Sequence, residues 1–249
     1  AYDGTGYHGF QRQNNCVAVQ NVLEDTLPLV FGDKIEIAAA GRTDAGVHAI
    51  GQVVNFFTDG TIPIQNVVRA GNRLLPDDIV LLKAEEADRD FSALHSVKSK
   101  IYIYKVFENE LADPFMSRFY WHVNKKLNLE DMQEALKYIE GEHDFSSFRS
   151  AGGNDTSPIR EIYEASCTKE NNVYTFKFWG SGFLYHMVRN IVWHLVEVGK
   201  GTKSIAAFKS EFAAGKRHFK VAPAPPQGLY LDYVGYIPHF LANIEKIRK

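Results

Sequence analysis

The sequence predicts an α+β protein built as two similar lobes. Three observations carry that prediction. Strand-like and helix-like segments alternate along the chain, which points to an α/β or α+β protein. The order β, α, β, β, α, β in the first part recurs in the second with one added helix, and two similar halves favour paired α+β lobes. A chain of 249 residues is one large domain or two small ones, enough to bury a sizeable core without staples. The boundary is expected near residues 88–98, giving lobes of 1–92 and 93–249.

Taken in order, Ala1-Tyr2 reads like the end of a strand, and a few residues of that strand are expected to precede Ala1. Residues 17–31 place Val19, Val22, Leu23, Leu27 and Val30 at helical spacing, with Pro28 expected to kink or shorten the helix. Residues 34–40 and 50–57 read as strands separated by the loop 41–49. A second helix is predicted over 64–75, stopped by Pro76, and a short apolar strand over 79–84. Residues 99–107 alternate, with Ile101, Ile103 and Lys105 on one face and Tyr102, Tyr104 and Val106 on the other. A helix over 129–140 has Asn128 as N-cap, Glu130 and Asp131 in its first turn and Gly141 at its end, with His143-Asp144 closing it. Residues 161–168 and 173–179 form a hairpin about Asn171-Asn172. A long helix follows over 183–198, then one capped by Ser204 and running to Ala214, then a last strand over 229–236.

Composition bounds the function classes. With 45% apolar and 23% charged residues, the chain is globular rather than disordered. Cys16 and Cys167 lie far apart and outside any C-x-x-C pattern, so neither a disulfide framework nor a zinc site is predicted, and a reducing cytoplasm is the expected location. The nine histidines are scattered without H-E-x-x-H spacing, and no metal site is expected. The apolar stretches fall far short of the roughly 18 residues a membrane helix needs, and no basic-then-apolar leader opens the chain, so no membrane association is expected. A net charge of −2 gives no global bias toward nucleic acid. Phosphate contacts depend on local cations, and Arg12, Arg69, Arg73, Lys98, Lys100, Arg149, Arg160 and the cluster Lys216-Arg217-His218 are candidates among many solvated surface charges.

The segment richest in chemistry is Gly41-Arg42-Thr43-Asp44-Ala45-Gly46-Val47-His48. It packs two glycines, a cation and a carboxylate between two strands. It lacks the Gly-Lys-Ser/Thr ending of a P-loop and the alternating acids of an EF-hand. Read from residue types alone, it is a surface loop in which Asp44 caps a turn.

As it stands, GRTDAGVH (41–48) resembles the signature loop of the tRNA pseudouridine synthase A family. AYDGTGYHGFQRQ (1–13) resembles that family's opening strand and turn, GQVVNF (51–56) its next strand, and KSKIYIY (98–104) its strand with paired tyrosines. DFSSFRSAG (144–152), FLYHMVRNIV (183–192) and GLYLDYVGY (228–236) match in order and at suitable intervals, so the resemblance covers nearly the whole chain. It implies a pseudouridine synthase fold: two ferredoxin-like α+β lobes with antiparallel sheets, joined around a central catalytic cleft. It also implies isomerisation of uridine to pseudouridine at positions 38, 39 and 40 of the tRNA anticodon stem-loop, by a homodimer and without a cofactor.

The reaction breaks the bond from uracil N1 to ribose, turns the base and rejoins it through C5, with no redox change. It needs a nucleophile or base near the glycosidic carbon, a closed site and a proton transfer. By resemblance, Asp44 is the catalytic carboxylate, in a role carboxylates also play in glycosidases. Arg189 matches the arginine that pairs with it, which would hold the carboxylate ionised and join the lobes. Tyr102 matches the tyrosine that packs on the target base, Tyr104 fits a core role, and His48 is expected to order the loop. Arg42 matches the arginine that helps hold the target nucleotide out of its stack, beside the bland reading of a surface arginine.

Three departures stand out: Leu94 where the family usually has an arginine, and Trp193-His194 where it has a small pair beginning with glycine. An indole there demands a changed neighbour. Two other readings stay open at this point. One is an RNA-binding or tRNA-chaperone protein on the same fold, independent of Asp44. The other is a carboxylate-nucleophile glycosidase or nucleosidase, which requires a second carboxylate about 5–10 Å away.

Overall fold

The computed structural model describes residues 1–153, 156–216 and 222–237. The chain is α+β, as its pattern predicts, and forms two compact units. One comprises Ala1–Lys98 with the described residues from Leu231 on; the other is Ser99–Tyr230. This division differs from 1–92 and 93–249 because the end of the chain returns to the first unit. The N–H groups of Ile50 and Gly51 both donate to Leu231 O (2.8 and 3.1 Å), and Lys98 N–H donates to Gly235 O (2.8 Å). A backbone segment settles where its hydrogen-bond partners are, and hydrophobic periodicity does not name a partner 180 residues away.

In the first unit, α1 (Val19–Phe31) buries Val19, Leu23, Thr26 and Leu27 on one face. The Asn21 side chain accepts from Ala18 N–H at its start. Pro28 does not shorten it: the helix continues three residues further and closes when Gly32 N–H donates to Pro28 O (2.8 Å). The two strands expected around the 41–49 loop shrink to β1 (Ala38–Ala39) and β3 (Val54–Asn55), paired antiparallel, with β2 (His48–Ala49) between them in sequence. α2 (Ile64–Asn72) ends before Pro76 as predicted. The predicted strand 79–84 is reduced to Ile79, bridged to Tyr2, while Val80 N–H donates to Ala1 O (2.9 Å).

The second unit is built on β4 (Ser99–Glu108), which buries Tyr102, Tyr104 and Val106 on the predicted aromatic face. β5 (Trp121–Val123), absent from the sequence reading, pairs parallel with its end, so the expected purely antiparallel sheet is mixed. α3 (Leu129–Leu136) runs into a 3₁₀ turn over Lys137–Ile139. His143 and Asp144 do not close that helix; they lie on β6 (Gly141–Asp144). β7 (Ile159–Glu170) and β8 (Val173–Gly180) form the predicted hairpin, with Asn171 at φ 53°. The antiparallel order is β4–β8–β7–β6. α4 (Met187–Gly199) starts four residues later than expected, because His186 at φ 59° turns the chain just before it. α5 (Ile205–Ala213) is capped by Ser204, whose hydroxyl accepts from Ala207 N–H (3.1 Å). β9 (Leu229–Gly235) begins in this unit and ends in the first. Phe145, Phe148, Phe176, Phe178, Ile191 and Leu195 are among its fully buried side chains.

Asn128 caps α3 as predicted, its carbonyl oxygen accepting from Asp131 N–H at 3.1 Å. Asn128→Ala is expected to cost about 1 kcal/mol, read as a lower urea midpoint at unchanged slope. Among the described residues no helix is long and apolar enough to cross a membrane. Of the predicted basic cluster, Arg217 and His218 lie outside the described residues.

Candidate active site

The loop that carries Asp44 is held from three sides within the first unit. Thr43 is buried and anchored twice: its hydroxyl is 2.8 Å from Tyr2 OH, and its carbonyl accepts from Phe10 N–H (3.0 Å). Gln52 Nε2 donates to Gly41 O (2.9 Å), and Gly46 N–H donates to Tyr7 O (3.3 Å). Asp44 itself turns the chain through its main chain, with Val47 N–H donating to Asp44 O (3.1 Å). Successive side chains alternate outward and inward here. Arg42 is exposed, Thr43 is buried and Asp44 is half-buried. Anchoring the residue between them fixes the backbone from which the Arg42 and Asp44 side chains project.

The opening segment 1–13 is the scaffold for this loop. Gly9 has φ 89°, and a Cβ there would sit 2.7 Å from Thr43 O, so both its conformation and the close approach exclude a side chain. At Gly4 a Cβ would lie 2.0 Å from Val47 O. His48 is buried, with Nδ1 3.1 Å from both Gly4 N–H and Asp3 Oδ1. It ties the end of the loop to the opening segment, the ordering role predicted for it. Tyr7 OH donates to Asp78 Oδ1 (2.6 Å), which fixes the turn from below, and burial pushes the Tyr2 phenol up to about 12, so it remains a neutral partner to Thr43.

The second unit carries Tyr102 and Arg189. Tyr102 sits on β4 opposite Phe178 of β8, and its ring packs edge-on against Phe183 at 5.0 Å. Tyr104, two residues on, is fully buried; its hydroxyl donates to Pro225 O (2.7 Å), and Gly228 fits against the ring. Burial holds the Tyr104 phenol well above its ordinary value, opposed by the nearby Arg189 charge. The two tyrosines share the buried face the alternation predicts, with Tyr104 the deeper of the two. Tyr104→Phe is expected to cost about 1–3 kcal/mol by stranding the Pro225 carbonyl, measured by denaturant unfolding.

Arg189, on α4, is buried, an uncommon place for a guanidinium. Its Nε donates to Ala224 O (2.7 Å), and Ala224 N–H donates back to Arg189 O (3.2 Å). The helix thus fixes the side chain near its root and sets the direction of the planar head. Asn190 beside it donates to Phe148 O (2.7 Å) and Ser150 Oγ (3.3 Å), which ties the 144–152 segment to α4.

The family model described as tRNA pseudouridine synthase matches residues 1–94 and 135–236 of this chain. The chain belongs to the tRNA pseudouridine synthase family. Among its curated relatives, the tRNA pseudouridine synthase A of Geobacillus sp. (strain WCH70) is 44% identical over 237 residues, covering 95% of this chain and 96% of its own. That of Acetivibrio thermocellus is 41% identical over 235 residues, with 94% and 96% covered. That of Lacticaseibacillus casei is 41% identical over 239 residues, with 95% and 97% covered.

Within this synthase family member, the departures have local explanations. Trp193 is half-buried, with the Lys203 ammonium over its ring at 5.7 Å. His194 is fully buried, its Nδ1 2.8 Å from Glu211 Oε2 and 2.7 Å from Lys203 Nζ. Lys203, before α5, and Glu211, on it, are the neighbours this larger pair packs and bonds against. Leu94 is half exposed at 50% and reaches no core position. Reading by sequence missed the anchors Tyr2, Thr43 and Gln52; only the inward turn of Thr43 between two outward residues would have marked them. Among the described residues no three of His, Cys, Asp or Glu are grouped to hold a metal.

Proposed function

We propose that this protein isomerises uridine to pseudouridine at positions 38, 39 and 40 of the tRNA anticodon stem-loop, with the Asp44 carboxylate at the chemistry. The observation that carries the reading is the doubly anchored Thr43, which presents Asp44 half-exposed inside the GRTDAGVH loop of a family member. The reaction balances without a redox partner. The N1–C1′ bond breaks, the base turns, a C5–C1′ bond forms, C5 loses its proton and N1 gains one. Attack on the sugar carbon, attack on uracil C6 and removal of a ribose proton all require one carboxylate near the glycosidic carbon.

In this scheme Arg189, buried on α4, belongs with Tyr102 and Arg42 to the substrate-binding set. Tyr102 offers the target base a flat face, and Arg42 helps hold the extruded nucleotide, offsetting the few kcal/mol that unstacking costs. The protein acts as a homodimer in the cytoplasm, with tRNA as its macromolecular substrate.

Tritium release from C5 of uridine in unmodified tRNA tests the proposal, with modified positions mapped by carbodiimide labelling and primer extension. Release with modification confined to positions 38–40 is expected. Release elsewhere overturns the choice of nucleotides. No release from any tRNA by folded protein overturns the catalytic reading and leaves RNA binding as the function.

A further inference from the structure

Lys100 and Arg160 lie on one face of the second unit's sheet, a face that Tyr102 shares. The register fixes this. Lys100 of β4 pairs with Gly180 of β8, and Gly180 pairs with Ile162 of β7, so these three share a face. Arg160 is two residues before Ile162 and Tyr102 two residues after Lys100, so both keep to that face, each about 7 Å along its strand and in opposite directions, with Lys100 between them. Both cations are partly exposed, and among the described residues neither meets a carboxylate. They repel one another, and Arg149 adds a third positive charge beside Arg160. Burial and Arg160 together lower the Lys100 ammonium to about 8. Such a grouping weakens the charged forms unless an anion joins them.

The Arg160 guanidinium is oriented by the main chain. Nη1 donates to Ser157 O (2.7 Å) and Ile159 O (2.6 Å), and Nη2 reaches Thr156 Oγ1 (3.4 Å). Nε bonds to no described residue, and with Nη2, whose one bond to Thr156 is long at 3.4 Å, it forms the edge that takes two oxygens of a phosphate. Gly182 lies beside this edge, where a Cβ would be in ordinary contact with Nε at 3.6 Å. A surface arginine bound by three backbone or hydroxyl oxygens has also lost much of the rotamer freedom that binding would otherwise take away.

We propose that Lys100 and Arg160 form a phosphate-binding site of the second unit, which grips a phosphodiester of the RNA strand beside the nucleotide that packs on Tyr102. The proposal rests on the reading of tRNA as substrate and adds to it the residues that fix the strand's register. Arg160 supplies the bidentate contact and Lys100 a point charge.

The test is binding of unmodified tRNA to the full chain across a series of KCl concentrations, for wild type, Lys100→Met, Arg160→Gln and Arg160→Lys. Each neutralising substitution is expected to lower the slope of log Kd against log salt by about 1, and the pair together by about 2. Arg160→Lys is expected to keep the slope and lose affinity several-fold, because an ammonium cannot take two oxygens at once. In anticodon stem-loops carrying one neutral methylphosphonate link, Arg160→Gln is expected to lose its effect at a single link beside the target uridine. Unchanged slopes in both folded neutral variants overturn the site, as does an effect of Arg160→Gln that persists at every link. If Lys100→Met fails to fold, Arg160→Gln and Arg160→Lys carry the decision alone. A wild type that neither binds nor converts tRNA sinks the functional reading as well; a wild type that does both, beside variants with unchanged slopes, sinks only the site.

Discussion

Asp44→Asn is expected to reduce tritium release from uridine by at least about 10⁴-fold, the scale on which enzymes lose rate when the reacting group is removed. Binding of unmodified tRNA is expected to stay within a few-fold of wild type. The substitution is close to isosteric, and the loop's hydrogen bond at this position, from Val47 N–H, uses the Asp44 main-chain oxygen, which asparagine retains. Thr43, Gln52 and Tyr7 hold the rest of the loop through bonds of their own. An amide is a poor nucleophile and a poor base, so each chemical route fails alike. A variant that still releases tritium within tenfold of wild type removes Asp44 from the chemistry. A variant that loses binding along with release assigns Asp44 to recognition instead.

Gly4→Ala is expected to destabilise the 249-residue protein by about 3 kcal/mol, lowering its melting temperature by roughly 6–12 °C. The added methyl would stand 2.0 Å from Val47 O and 2.6 Å from Val47 C, both main-chain atoms that no rotamer change can move. Relief requires the 44–48 turn to retreat by more than 1 Å, and displacements of that size at a reacting group cost about 100-fold in rate. Below the melting transition, kcat is therefore expected to fall about 100-fold while tRNA binding changes little. Gly6→Ala is the control: a Cβ there meets nothing within 4 Å, and both stability and rate should match wild type. Equal behaviour of the two variants would mean that the opening segment does not set the position of the loop.

What the sequence disclosed followed physical range. Local rules worked where local forces decide. Asn128 and Ser204 cap the helices they were expected to cap, Asn171 turns the hairpin, and the alternation from Ser99 to Phe107 separates Tyr104 from the solvent side. Distant partners were invisible. β1 and β3 are two residues each, and just before β1 the Ile37 N–H donates to the Glu24 side chain of α1, while β5 has no signal of its own beyond its pairing with β4. The start of α4 was misplaced because the apolar run from Phe183 continues through His186, whose left-handed conformation periodicity does not register. The signature loop was legible as a resemblance, but its anchoring was not. Tyr2 and Thr43 stand 41 positions apart, and nothing in either neighbourhood names the other.

The return of the chain end to the first unit has a consequence for the order of synthesis. Residues 1–98 leave the ribosome before the segment that completes their fold, and Leu231, which accepts from Ile50 and Gly51, follows more than 130 residues later. The interrupting unit, by contrast, is one continuous stretch and can close on itself as soon as it emerges. Translation therefore delivers the later half finished and the earlier half waiting. A nascent chain halted before Leu231 is expected to carry Asp44 on an unfinished scaffold, open to protease, and to have no activity until the final strand is released.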